Sequence, residues 1–225
     1  MPQFAIPTII VAPAFYALFS LGLSGQVTAT ATQLLATFGV YAVMGPALFG
    51  FGAAVANERQ SGQLELKRLS PMPAGAQIFA KLMATTTFSA AALAMIYLIA
   101  DFAGVVLDPA RWIGVAAVHL CGVIPFALIG LSIGYRMGAK GAVAMVNAIF
   151  LAMSVMGGLW IPLDQLPHPM QSVAWVLPSF HLGEIALMAA GVRELGTLWV
   201  HLAFLAPMTA ASFALAWAGQ RRQSS

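Results

Sequence analysis

The sequence predicts an all-helical, polytopic membrane protein, and three observations carry that prediction. Apolar residues make up 60% of the 225 positions and charged residues 8%. The mean hydropathy is +0.88, a composition that folds in water only by exposing large apolar surfaces. The charges are also unevenly placed. Six of the ten basic and seven acidic residues fall in one polar island, Glu58 to Lys81, between two long apolar runs. A span needs roughly 20 residues, so the chain holds about six with short loops, as a single transmembrane domain over 1–225. A soluble catalytic domain of ordinary size does not fit beside them.

The first span covers about residues 4–23. It lacks a basic leader and a small-residue cleavage site, and Pro7 and Pro13 interrupt it, so it reads as a retained span and not as a cleaved signal. The second covers about 34–55 and ends at the island; the third covers about 82–107, the fourth about 112–135 and the fifth about 142–156. The sixth covers about 198–218. Short cytoplasmic loops retain Lys and Arg. With the island inside, Arg59, Lys67, Arg68, Lys81, Arg136, Lys140, Arg221 and Arg222 are cytoplasmic, and only Arg111 and Arg193 lie outside. That places both termini in the cytoplasm, which an even number of spans requires. The basic pI of about 9.4 is therefore topology information and not a nucleic-acid signal.

The loops are unequal. Between the fifth and sixth spans, residues 158–191 alternate apolar stretches with Pro162, Pro167, Pro169 and Pro178. This segment is too apolar for a solvated loop and too broken for a span. A pair of short re-entrant helices at the outer leaflet satisfies both constraints. Trp160 and Trp175 then sit at headgroup depth, and Trp160, Pro178, His181 and Glu184 are candidate outer-gate residues.

Within the island, Glu58-Arg59-Gln60-Ser61-Gly62-Gln63-Leu64-Glu65-Leu66-Lys67-Arg68-Leu69-Ser70-Pro71 resembles the signature loop that joins the second and third spans of type 2 ABC-transporter (ABC-2) permeases. The stretch from Leu177-Pro178 through Glu184 to Gly191 is similar to the element before that family's last span. The compact size is most similar to the drug- and antibiotic-resistance permeases of the daunorubicin-resistance type. Gln63 stands where the pattern has Thr, and Leu187 where it has Arg. The family also has an amphipathic helix before the first span, whereas this chain enters apolar sequence almost at Met1; a trimmed or misassigned start is the expectation.

The resemblance implies a dimerising transmembrane subunit in the bacterial cytoplasmic membrane, as a homodimer or beside a related chain, driven by a separate ABC-type ATPase. It implies no cofactor on this chain, with ATP and Mg bound by that partner. The residues agree: no G-x-x-x-x-G-K-S/T motif is present. A segment that mixes Leu64, Leu66 and Leu69 with Glu58, Arg59, Glu65, Lys67 and Arg68, with Gly62 in its motif and a stop at Ser70-Pro71, has what a docking helix needs. It offers an apolar ridge to enter a cleft and charges to set the register.

Spans two and five supply the expected substrate lining, Phe38, Tyr41, Met44 and Phe49 with Asn147, Phe150, Met153 and Met156, an aromatic and thioether surface suited to lipophilic drugs or lipids. Ionisable groups at membrane depth are functional candidates. Asp101 in the third span is better placed near outer headgroups, bonded to Thr or Tyr neighbours. His119 and Cys121, two residues apart on a helix, point in different directions, so no metal is expected. Cys121 has no partner cysteine. Gly130 and Gly134 have the spacing of close helix approach, although among 21 glycines such spacings also arise by chance. Pro46 and Pro125 bend spans two and four.

The alternative function is an ATP-independent secondary transporter or channel, for which Asp101 is almost the only intramembrane carboxylate and no inverted repeat is evident. A membrane enzyme ranks last, because no nucleophile–base or metal constellation occurs at membrane depth.

Overall fold

Helices that are apolar on every side pack by shape and not by one amphipathic stripe, and the computed structural model of the chain is a bundle of that kind. It describes residues 2–23, 28–63 and 74–221. Every regular element among them is helical. Helix α1 (Pro2–Ala17) continues as a wider π turn (Leu18–Leu23) and is followed by α2 (Thr28–Phe51), α3 (Ala53–Gln60), α4 (Ala74–Phe102), α5 (Pro109–Cys121), α6 (Val123–Gly134), α7 (Ala139–Met156), α8 (His168–Ala174), α9 (Pro178–Ala189) and α10 (Leu198–Arg221).

Five apolar helical runs, two of them made of two helices in succession, are long enough to cross a membrane: Thr30–Gln60, Ile78–Phe102, Pro109–Gly134, Ala139–Met156 and Leu195–Arg221. A shorter apolar helix covers Ile9–Gly22, and α8 and α9 form a pair bent by 84°. The five runs coincide with the second to sixth predicted spans, and the shorter helix lies within the first. The chain is a multi-pass membrane protein.

The boundaries shift for identifiable reasons. The second run extends through Glu58, Arg59 and Gln60, all good helix formers, and ends where Gly62 turns at φ 73°. The third stops at Phe102 and not at Leu107, because Gly104 adopts φ 77° and Val105 N–H returns to the Ala100 carbonyl at 3.0 Å. The fourth is broken at Gly122, where Pro125 has no N–H to offer the Cys121 carbonyl. At its start, Pro109 occupies the first turn and the Asp108 carboxylate accepts from Arg111 N–H at 3.0 Å.

Helix α2 is the centre of the bundle. It packs on α1, α4, α6, α7 and α9, and 83% of its apolar window is buried within the chain. Gly130 and Gly134 are what lets α6 approach: a Cβ at Gly130 would lie 2.8 Å from the Leu48 carbonyl oxygen, and one at Gly134 2.7 Å from that of Phe51. The G-x-x-x-G spacing is therefore a contact face. The contact extends to the break between α2 and α3, where a Cβ at Gly130 would lie 3.0 Å from the Gly52 amide nitrogen. Helix α10 packs on α6 and α9 and exposes nearly all of its apolar window.

Candidate functional site

The described part of the polar island is bonded on three sides. Lys81 Nζ at the start of the α4 span lies 2.8 Å from Glu58 Oε1, with both side chains about four-fifths buried (21% and 20% exposed). Arg59 donates to the carbonyl oxygens of Tyr135 and, at 2.7 Å, of Met137. Gln60 Oε1 accepts the Ala139 N–H at 2.8 Å. These contacts follow from helix-end chemistry. The last carbonyls of α6 and the first amides of α7 have no partner within their own helices. A cation suits the negative end of α6, and an amide oxygen suits the positive end of α7. The α6–α7 turn is thereby capped by α3. Arg136 in the same turn donates to Ser132 O at 2.9 Å and to Leu215 O at 2.6 Å, which adds α10 to the junction.

Glu58, Arg59 and Gly62 are thus placed, while Leu64, Glu65, Lys67, Arg68, Leu69 and Ser70 lie outside the described residues. Gln60 and the α6–α7 turn were not among the sequence candidates. A glutamine beside a recognised motif carries no signal of its own, since its partner is a backbone amide 79 residues away.

The predicted lining residues divide. Phe38, Tyr41, Met44 and Met153 are buried inside the subunit, Phe49, Phe150 and Met156 are half-buried, and Asn147 is exposed. Tyr41 and Phe150 meet with ring centroids 5.0 Å apart, and Phe150 and Phe49 at 5.8 Å, so α2 and α7 are joined by aromatic contacts. The series continues through Trp160, 5.5 Å from Tyr41 and 5.8 Å from Phe15. Asn147 is not part of it.

At about 1.5 Å per residue, α7 carries the chain some 27 Å from the island, and the candidate gate residues lie at that far end. Pro178 opens α9, where Ser179 Oγ donates to the Met153 carbonyl at 3.0 Å and ties α9 to the end of α7. A Cβ on Gly157 would strike Ser179 Oγ at 2.2 Å. Glu184, half-buried on α9, pairs with Arg193 at 3.5 Å, so it holds the loop that leads into α10. His181 is fully buried. Its Nε2–H donates to the Trp175 carbonyl at 2.9 Å, leaving Nδ1 to accept from His201 Nδ1–H at 3.0 Å. Trp175 stacks on His201, and Phe204 stacks on His181. His201 went unrecognised in the sequence, although the rule that singled out Asp101 and His119 applies equally to a histidine in the last apolar run.

His119 is buried in a polar contact of the same kind. A carbonyl oxygen only accepts, so Nε2–H donates to Ala36 O at 2.9 Å and Nδ1 accepts the Tyr97 hydroxyl at 2.8 Å. The imidazole joins α2, α4 and α5 and fills the notch at Gly39, where a Cβ would come within 2.0 Å of the ring. Cys121 is exposed, whereas the His119 ring is buried. Asp101 is exposed at the end of α4. Among the described residues no group of three or more potential metal ligands occurs.

The described residues thus form an all-helical, multi-pass membrane protein with a bonded polar junction at one end and a bent helix pair near the other. Residues 4–218 match the ABC-2 family transporter protein description, and the chain belongs to that family. It is similar to the "Putative transport permease YvfS" of Bacillus subtilis (strain 168), with 27% identity over 184 residues, 80% of this chain and 75% of that protein.

Proposed function

We propose that this chain is the transmembrane subunit of an ATP-driven exporter of lipophilic small molecules, of the drug-resistance type, in a bacterial cytoplasmic membrane. It pairs with itself or a related chain and is powered by a separate ABC-type ATPase that binds ATP and Mg. The observation that carries this reading is the triple anchorage of α3. A push on the island reaches α4 through Glu58–Lys81, the α6–α7 turn through Arg59 and Gln60, and α10 through Arg136. A loop that only enforced topology would need none of these bonds. The undescribed island residues, from Leu64 to Ser70, complete the docking element in this proposal.

The topology has six spans, with α1 and its π turn as the first, both termini cytoplasmic, and α8–α9 as a re-entrant pair near the outer surface. The half-exposed α7 face with Asn147, Phe150 and Met156, together with Phe49 of α2, borders the substrate pathway, and Phe38, Tyr41, Met44 and Met153 back it from inside the subunit. An apolar, adaptable lining of this composition favours lipophiles over sugars.

The test is ATP turnover of the candidate ATPase co-reconstituted in liposomes with this chain, comparing the parent with Arg59→Ala and with Glu58→Ala. Turnover that depends on the permease and falls severalfold in both variants is expected. An ATPase that neither binds the chain nor changes its turnover in its presence overturns the proposal.

A further inference from the structure

Several polar side chains within the spans are satisfied inside the subunit. Thr87, Thr209 and Ser212 each donate to the carbonyl four positions back, at 2.8–2.9 Å, and His119 bonds to two other helices. Asn147 differs. It is the ninth of the 18 residues of α7, so at about 1.5 Å per residue it stands roughly 12 Å or more from either end of the helix. Its side chain is exposed, and among the described residues nothing bonds to its amide.

The surroundings of Asn147 are those of a helix contact face. Ala142, Val146 and Met153 lie along one side of α7 and are buried against the rest of the subunit. On the opposite side Ala144, Asn147, Ala148 and Leu151 are exposed, and their i, i+3, i+4, i+7 spacing sets them in one stripe. The two alanines beside the amide leave room for another backbone to come close. The outward sides of α4 and α10 carry apolar groups instead, among them Leu98, Phe102, Trp199 and Phe213.

A lipid chain has neither donor nor acceptor, and an amide uncovered at mid-depth costs free energy until it is paired. Its partner must bring a donor and an acceptor to that same level. A second copy of this chain does so without any further polar residue. Two copies inserted with the same orientation carry residue 147 at the same depth, and about a two-fold axis along the membrane normal the N–H of one amide meets the carbonyl oxygen of the other. A different chain would need a polar residue of its own at that depth.

We propose that the exposed stripe of α7 is the face on which two copies of this chain pair, with their Asn147 amides hydrogen-bonded to each other and Ala144 and Ala148 admitting the close approach. The inference rests on the exporter reading for its six-span topology. Where that reading leaves the second half as the same chain or a related one, the stripe selects the same chain and names the contact. Phe150, half-buried beside the stripe, still borders the pathway.

The experiment uses the full chain in lipid vesicles without any ATPase. The dimer fraction is read by single-molecule photobleaching of chains labelled at the C-terminus, over a series of protein-to-lipid ratios. The contact is read by replacing Leu151, Leu98 or Phe213 in turn with the photocrosslinker p-benzoylphenylalanine. A dimer is expected, crosslinked from position 151 onto α7 of the other copy and not from position 98 or 213. Asn147→Leu keeps the bulk and removes the amide; it should raise the apparent dissociation constant about tenfold and leave the thermal midpoint at low density unchanged. Asn147→Gln keeps an amide and should restore most of the association. Chains that stay monomeric at every density, crosslinks from position 98 or 213 in place of 151, or an Asn147→Leu chain that associates like the parent overturns the face. A monomer, or a dimer through another face, that still supports permease-dependent ATP turnover sinks the α7 contact and leaves the exporter reading standing; an α7 dimer that never couples to an ATPase does the reverse.

Discussion

Lys81 and Glu58, 23 positions apart in sequence, meet at 2.8 Å and close the polar island on itself, joining the end of α3 to the beginning of the α4 span. With both side chains mostly buried, the pair is better protected from solvent than a surface bridge, whose usual value is at most about 1 kcal/mol.

A charge exchange tests this relationship. Glu58→Lys and Lys81→Glu, made singly, place like charges together and should each reduce permease-dependent ATP turnover several-fold. The double exchange should restore most of it. Singles that behave as the parent, or a double as defective as the singles, would sink the mechanical role of the pair.

Arg59 makes a separate prediction. Its guanidinium satisfies two carbonyls at the end of α6, and bonds from a charged donor contribute about 1.5–3 kcal/mol. Arg59→Met keeps an unbranched apolar stem and removes those bonds. Amide deuterium exchange in the 137–140 segment should accelerate, while exchange in α9 remains as in the parent. Uniform exchange across the chain would show that the junction does not hold the turn.

The α6 contact is tested by volume. Gly130→Ala drives a Cβ against the Leu48 carbonyl, a backbone atom that cannot step aside. A loss of about 1–3 kcal/mol is expected, as for other overpacked sites, read as a lowered thermal midpoint in detergent. Gly196→Ala, where nothing lies within 4 Å, is the control and should leave the midpoint unchanged.

For the imidazole that joins three helices, two substitutions should differ in size. Tyr97→Phe removes one hydroxyl from His119 and should cost on the order of 1 kcal/mol. Gly39→Ala collides with the ring itself and should lower the thermal midpoint much further. Equal effects would mean that the ring shifts freely and that the three-helix junction is not tight.

Much of the architecture was legible because it depends on composition and length. Sustained apolar runs identify the helices at positions within a few residues of those observed, and the prolines between Gly158 and Pro178 mark a region where the chain turns back in short helices instead of forming a span. The Glu58–Arg59 motif located one end of the junction. Its partners were not legible, because Arg59 and Gln60 bind backbone groups of the α6–α7 turn, and every residue has such groups. For the same reason Gly130 and Gly134 could not be separated from chance spacings: a glycine shows its use only when a facing backbone is in place. Phe38, Tyr41 and Met44 read as lining from their chemistry, yet aromatic and thioether side chains pack a helix core equally well. Only the central position of α2 buries them.

The sequence alone determined that the chain lives in a membrane, where its helices run and which loop carries the charge, since each depends on the transfer of local stretches between water and lipid. The tertiary structure decided which helix is central, which glycines touch backbone, what caps the α6–α7 turn and which side of α7 is left uncovered. Those are properties of close packing between segments distant in the chain, and no local free energy encodes them.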